Sequence, residues 1–178
     1  MAAPLYKVTL TNGVPATAAD DGDVPTLAAF TPRVAQLVPS ISVTTIAAND
    51  VLAASEIWNA VTSAVDVGAT LRQLNVTLLD RTTGVGLIVV LLKANVGIGS
   101  ESAAFSIADA DVIHVIDKIT LVAGDFTTNG ASCMACLRNL NIPIIPVSGD
   151  DAIYVGIVTV DGTTFGAVTD VVLTGFFE

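Results

Sequence analysis

The chain has 178 residues, of which 52% are hydrophobic and only 13% charged, with a formal net charge of −10. This length is typical of one domain, and the acidity argues against binding to nucleic-acid phosphates, which requires a basic patch. The longest apolar runs, such as residues 84–92, are far shorter than the roughly 20 residues of a membrane-spanning helix. A membrane barrel is disfavoured by an aromatic content of 5%, too low for two aromatic girdles. Because typical soluble domains carry about 25% charged residues, we expect this protein to cover much of its surface with other subunits.

Residues 1–40 predict an extended N-terminal arm. They contain five prolines, which lack an N–H and suit arms and sheet edges better than a sheet interior: Pro4, Pro15, Pro25, Pro32 and Pro39. The segment also holds too many apolar side chains for a solvated tail. It is therefore either an arm that becomes ordered on a neighbouring subunit or a loop wrapped over its own core. We take four of its residues as candidate interface residues: Leu5, Tyr6, Phe30 and Leu37.

The next stretch mixes strand and helix signals. Residues 41–46 and 62–67 predict short strands, whereas the alanine-rich residues 48–60 predict a short helix with Asn49 or Asp50 as its N-cap. Trp58 is the only tryptophan, and a lone tryptophan is most often a core or interface anchor. We add Trp58 to the candidate interface residues.

Residues 71–93 (LRQLNVTLLDRTTGVGLIVVLLK) predict two strands joined by a tight turn. The first strand alternates apolar and polar residues, so it should bury one face. The turn, residues 81–84, ends in Gly84, which accepts a positive φ. The second strand is apolar on both faces, which predicts a central strand covered from two sides.

The second half predicts further short strands separated by turns. After a glycine-containing loop at 94–102, Ser106 and Asp109 match a capping box and predict a short helix at 107–112. Strands are predicted at 118–122, 132–138, 142–147, 153–160 and 168–177, with 142–147 at an edge because of its prolines. Residues 124–130 are rich in turn formers. The domain formed by residues 41–178 is therefore predicted to be an all-β antiparallel sandwich, with a jelly roll as the leading candidate.

The sequence predicts no catalytic residue, no cofactor and no metal site. Cys133 and Cys136 form a C-x-x-C pair without a second ligand pair, and in a strand they would point to opposite faces. His114 lies in an apolar run without a recognisable nucleophile context. The acidic groups at 20–23, 109–111 and 150–151 do not match a calcium-binding loop.

The order of segments from residue 70 to residue 165 resembles that of head decoration, or cement, proteins of tailed bacteriophages. The similarity is carried by GATLRQLNVTLLDRTTGVGLIVVLL, AAFSIADADVIHVIDKITLVAGDF and LRNLNIPIIPVSGDDAIYVGIVTVDGT. It implies a β-sandwich on the capsid exterior, made in the host cytoplasm, commonly trimeric, that clamps subunits of the major capsid protein. It implies partners that are protein, with no nucleic acid and no membrane, and it transfers no functional residues.

Two other functions remain open on sequence grounds. A phage tail or fibre module with a glycan-binding face would need exposed aromatic residues, for which Tyr6, Trp58 and Tyr154 are the candidates. A β-sandwich hydrolase is disfavoured by the shortage of histidine and of paired glutamates, although a fold alone does not exclude it.

Overall fold

The computed structural model describes residues 33–62, 67–146 and 148–178. These residues form an all-β unit of two antiparallel sheets. In chain order the strands are β1 (Arg33–Leu37), β2 (Val51–Trp58), β3 (Ala69–Leu78), β4 (Leu87–Leu92), β5 (Val115–Leu121), β6 (Phe126–Asn129), β7 (Ser132–Leu137), β8 (Ile142–Ile144), β9 (Ile153–Thr159) and β10 (Val171–Phe177). The described helices are two short 3-10 segments, Asp109–His114 and Ala123–Asp125.

The strands pair in a nested order. One sheet has the order β1-β10-β3-β7-β6, with β8 beside the start of β3, and the other has the order β2-β9-β4-β5. Thus β4 pairs with β5, β3 with β7 and β8, β2 with β9, and β1 with β10. These pairs are nested along the chain, with β4 and β5 innermost and β1 and β10 outermost.

The main core lies between the sheets and takes side chains from both of them. Leu74 and Val76 of β3 belong to the same buried cluster as Leu87 and Val89 of β4. Trp58 is fully buried there and meets Phe177 edge to face, with ring centroids 5.5 Å apart. Trp58, which the sequence offered as a core or interface anchor, is thus a core residue of the described unit.

The predicted strands of the 71–93 stretch exist, but they do not form a hairpin. β3 belongs to the larger sheet and β4 to the smaller one, so the connection at 79–86 passes from one sheet to the other. A polar turn suits both a hairpin within one sheet and a connection between two sheets, so the local sequence does not distinguish the two. Gly84 is needed for a different reason from the predicted one: a Cβ there would lie 2.4 Å from the carbonyl oxygen of Ala123. The prediction that β4 is central is confirmed, since β4 lies between β9 and β5. Its coverage on both faces is also confirmed, because Val89 and Leu91 belong to the main core whereas Val90 and Leu92 belong to a second buried cluster.

The largest errors fall before residue 68. The predicted helix at 48–60 is strand β2, because its apolar residues are buried against β9 and the core. Residues 41–46 form no strand; their one β-bridge joins Ile46 to Thr163, and Ile41 and Ile46 are buried in the main core. Residues 63–66 of the predicted strand 62–67 lie outside the described residues, and its two ends are not in a strand.

The sheet begins earlier than predicted. Residues 33–37, which the sequence assigned to the arm, form β1 and pair with β10, so the compact unit starts at Arg33 rather than at residue 41. Residues 1–32 of the predicted arm, with the interface candidates Leu5, Tyr6 and Phe30, lie outside the described residues.

The second half follows the prediction more closely. β5, β7, β8, β9 and β10 each fall on a predicted strand, with ends that differ by a few residues. The predicted helix at 107–112 is the 3-10 helix Asp109–His114, and its N-cap Ala108 makes no side-chain capping bond. β6 lies within the stretch predicted to be rich in turns.

Candidate protein-binding face

The outer face of the larger sheet is built from the residues that alternate with its core positions. The strand register aligns Val34, Phe176 and Gln73 in one row across the face. A second row contains Gln36, Thr174, Asn75 and Cys136, and a third contains Val172, Thr77, Met134 and Thr127. We call these residues together the uncharged face.

None of the residues of the uncharged face is Asp, Glu, Lys, Arg or His. Its apolar members include Val34, which is 57% exposed, and Met134, which is 39% exposed. The polar members are threonine and amide side chains, and Gln73 donates a hydrogen bond from Nε2 to Oδ1 of Asn75 at 2.9 Å. In a chain with a net charge of −10, a sheet face without any charge is a surface suited to contact with protein.

The outer face of the smaller sheet is different because the chain itself covers it. Residues 94–107, which we call the cover segment, place Val96, Ile98, Phe105 and Ile107 against Val90 and Leu92 of β4 in a second buried cluster. Backbone hydrogen bonds hold the segment along β2, from Val51 N to Ala103 O and from Ser102 N to Val51 O, both 2.8 Å. This sheet therefore has no comparable bare face.

Two contacts show how closely the cover segment is fitted. Gly156 of β9 leaves room for Ile98, because a Cβ at position 156 would lie 2.1 Å from the Ile98 Cδ1 atom. Lys118 places its Nζ atom 4.7 Å from the centre of the Phe105 ring, a favourable cation–π distance. The cover segment is thus part of the packed structure rather than a loose loop.

Two arginines, Arg72 and Arg138, lie at one end of the uncharged face. Arg72 occupies the irregular position where β3 and β10 shift register, and it is engaged with Glu178 at 2.7 Å and with Asn141. Arg138 follows β7 and donates from Nε to the Cys136 Sγ atom at 3.4 Å. Among the described residues Arg138 has no carboxylate partner within 4.0 Å, so its charge is open to an acidic neighbour.

The cysteines occupy the opposite faces predicted for them. Cys133 is buried in the core, Cys136 is half-buried on the uncharged face, and both are free thiols. Burial raises the pKa of the Cys133 thiol, and nearby Arg81 partly opposes this. The pair therefore lacks the geometry of a shared metal or redox site.

Two of the described aspartates serve local turns. Buried Asp170 accepts hydrogen bonds from the backbone N–H groups of Gly166 and Ala167 at 2.9 and 2.8 Å, and Asp125 accepts one from Val122 N. No group of three or more His, Cys, Asp or Glu residues able to hold a metal ion occurs in the described part of the chain. The acidic residues 20–23 lie outside it.

Glu56 is a polar residue on the side of the cover segment. Its Oε1 atom accepts a hydrogen bond from Ser40 N at 2.8 Å. Partial burial raises the pKa of this carboxyl, the Ser40 bond lowers it, and repulsion from Glu101 of the cover segment raises it further. The arrangement therefore places two negative charges close together on the covered sheet.

The predicted interface residues do not build the uncharged face. Leu37 packs against the core, Trp58 lies within it, and Leu5, Tyr6 and Phe30 are outside the described residues. The face was missed although Gln73, Asn75 and Thr77 alternate with core positions in the sequence. The alternation of uncharged and core residues in β3 was visible in the sequence. The sequence did not show which strands lie beside β3, so the face itself could not be assembled.

The chain matches no protein-family model, and neither the curated proteins nor the solved structures include a match to it. In the described residues no helix has the length and apolar character needed to cross a membrane.

Proposed function

We propose that this chain is a viral structural protein that binds the outside of a tailed-phage head and holds neighbouring subunits of the major capsid protein together. It acts by binding, without catalysis, as part of the virion. The observation that carries the proposal is the uncharged face, a sheet surface that the described residues leave uncovered, on a protein with a net charge of −10. The sequence resemblance to decoration proteins supports the same function and implies a homotrimer.

We further propose that the two sheets form a jelly-roll sandwich. The nested pairing, with successive strands distributed between two sheets that share one core, supports a jelly-roll sandwich, a fold common among capsid domains. A rigid sandwich suits a clamp, because binding then loses little conformational entropy in the domain itself.

The alternative of a tail or fibre module with a glycan-binding face has less support. Trp58 is fully buried, and Tyr154 packs against the buried cluster beneath the cover segment. Trp58 therefore offers no ring to a sugar, Tyr154 is only partly exposed, and Tyr6 is outside the described residues.

Co-sedimentation with purified heads of the virus that encodes the chain tests the proposal. We expect the full-length protein to pellet with heads in a saturable manner and to remain in solution without them. A chain that stays in the supernatant at saturating concentrations of heads would overturn the proposal.

The role of the arm needs its own variant. Because β1 belongs to the sheet, a deletion of residues 1–40 would remove a strand, so the truncation should end at residue 32. We expect the shortened chain to show the circular dichroism of a folded β protein and to lose binding to heads. Full binding by the truncated chain would refute the arm's contribution.

A further inference from the structure

We infer that Asn129 is a site of self-modification, at which attack by the Gly130 backbone nitrogen removes the side-chain amide and leaves a carboxylate at the border of the uncharged face. Asn129 ends β6, Gly130 opens the turn to β7, and both residues are exposed. The reaction consumes only water, so it requires no enzyme, metal or cofactor.

The chemistry is an intramolecular acyl transfer, which is fast when the two groups are held close together. The Gly130 nitrogen gives up its proton and forms a bond to Cγ of Asn129, while the bond from Cγ to Nδ2 breaks and the amide nitrogen leaves as ammonia. One water molecule then opens the five-membered imide at either carbonyl carbon, which gives aspartate or its β-linked isomer. Either product has a carboxylic acid that is ionised at neutral pH, so the net charge of −10 gains one further negative charge.

The hairpin geometry leaves the attacking nitrogen accessible. Asn129 and Ser132 are the last paired residues, so the loop has two residues and begins with Gly130 at a φ of 65°, where such turns favour glycine. The ladder hydrogen bonds of this loop join the flanking pair, which places the Gly130 N–H outside the ladder. Apart from its chain neighbours, no heavy atom lies within 4 Å of a Cβ built at Gly130, so no packed group has to move while the ring closes.

Asn75 provides the contrast within the uncharged face. It lies in β3, which is paired with β10 on one side and with β7 on the other. Its successor Val76 is β-branched and fully buried, and its Oδ1 atom accepts a hydrogen bond from Gln73. Ring closure at Asn75 requires a central strand to open, whereas a loop tip opens at little cost. The modification is therefore expected at Asn129 and not in the centre of the face.

The new carboxylate alters the surface that the proposed function uses, and this step rests on that function. Thr127 lies in the third row of the uncharged face, and Asn129 follows two residues later on the same side of β6. At a rise of about 3.4 Å per residue the two positions are about 7 Å apart. Burying a charge at a contact costs free energy, and charged side chains are depleted from the centres of interfaces. Binding to heads should therefore decline as the protein ages.

Peptide mapping by mass spectrometry tests the reaction on the full-length chain. The protein is incubated in mildly alkaline buffer, and replacement of the amide NH2 by OH is followed over time in each asparagine-containing peptide. We expect Asn129 to lose its amide more than about tenfold faster than Asn75, because only Asn75 needs a central strand to open. Asn12 also precedes a glycine but lies outside the described residues, and fragment masses distinguish the two sites. Loss at Asn129 that is no faster than at Asn75 would overturn the inference.

Two variants at this one position test the consequence for binding. Asn129→Gln keeps an uncharged amide but needs a larger, slower-closing ring, whereas Asn129→Asp carries the product charge from the start. We expect fresh wild type, fresh Asn129→Gln and aged Asn129→Gln to pellet alike with heads, and aged wild type and Asn129→Asp to bind several-fold more weakly. Circular dichroism confirms that each sample is folded.

The two measurements separate this inference from the proposed function. Equal binding of all samples to heads would overturn the effect of the modification on the capsid contact. Fresh wild type that fails to pellet would overturn the decoration role, while the peptide masses decide independently whether Asn129 is modified.

Discussion

The two sheets differ in how their outer faces are treated. Both have an inner face in the common core, but the smaller sheet also buries its outer face beneath residues 94–107, whereas the larger sheet presents rows of threonine, amide and apolar side chains. The covered sheet is apolar on both faces of β4, and the bare sheet alternates. The comparison teaches that two features of the composition have separate sources: a second internal core adds to the 52% of hydrophobic residues, and a sheet face without charge contributes to the low charged fraction of 13%.

We expect the largest loss in the free energy of unfolding from a substitution in the main core. Trp58→Ala removes a fully buried side chain that contacts Phe177, and we expect it to lower the free energy of unfolding by about 3–5 kcal/mol. Trp58→Phe is the control and should lose less, because it keeps an aromatic ring and removes an indole N–H without a hydrogen-bond partner. Urea unfolding followed by circular dichroism measures both. A Trp58→Ala protein that is as stable as the wild type but binds heads less well would instead indicate that Trp58 acts at an interface.

The outer faces should respond unequally to the loss of an apolar side chain. Ile98→Ala in the cover segment removes a fully buried side chain and should lower the free energy of unfolding by about 2–4 kcal/mol. Met134→Ala on the uncharged face should change it by less than about 0.5 kcal/mol, because Met134 is 39% exposed. Urea titration at low protein concentration measures the free energy of unfolding of both variants. Equal losses would mean that the two outer faces do not differ as described.

The smallest expected effect concerns the acidic pair on the covered side. Because the pKa of Glu56 is raised in the folded state, its ionisation reduces stability as pH rises from its ordinary value of 4.5 through the folded value. Glu56→Gln keeps the acceptor for Ser40 N and should stabilise the protein at pH 7 by no more than about 0.5 kcal/mol. The gain should disappear below pH 4.5.

Unfolding midpoints at pH 7 and pH 4 measure this effect. Glu101→Gln is the matched control: it relieves the same repulsion but not the desolvation of Glu56, so its gain at pH 7 should be smaller. A gain for Glu56→Gln that is unchanged at pH 4 would contradict the assigned cause.

Sequence patterns identified strands best where a single local rule applied. β9 and β10 are largely apolar segments bounded by recognisable turns, and the apolar run of β4 correctly predicted a strand covered on both faces. β2 was mistaken for a helix because alanine favours helices locally, whereas its burial against β9 decides otherwise. The uncharged face was not predictable, since its rows join residues from β1, β10, β3, β7 and β6, which are distant in the sequence.

The sequence by itself determined that the chain is an acidic, weakly charged β protein with many short strands, because composition and period-two alternation are local properties. Only the tertiary structure decided that β3 and β4 lie in different sheets and that Trp58 is internal. It also decided that residues 94–107 cover one outer face, whereas no part of the described chain covers the other. Those outcomes depend on which distant strands meet, and the free energy of burial that selects the pairing is shared by the whole core.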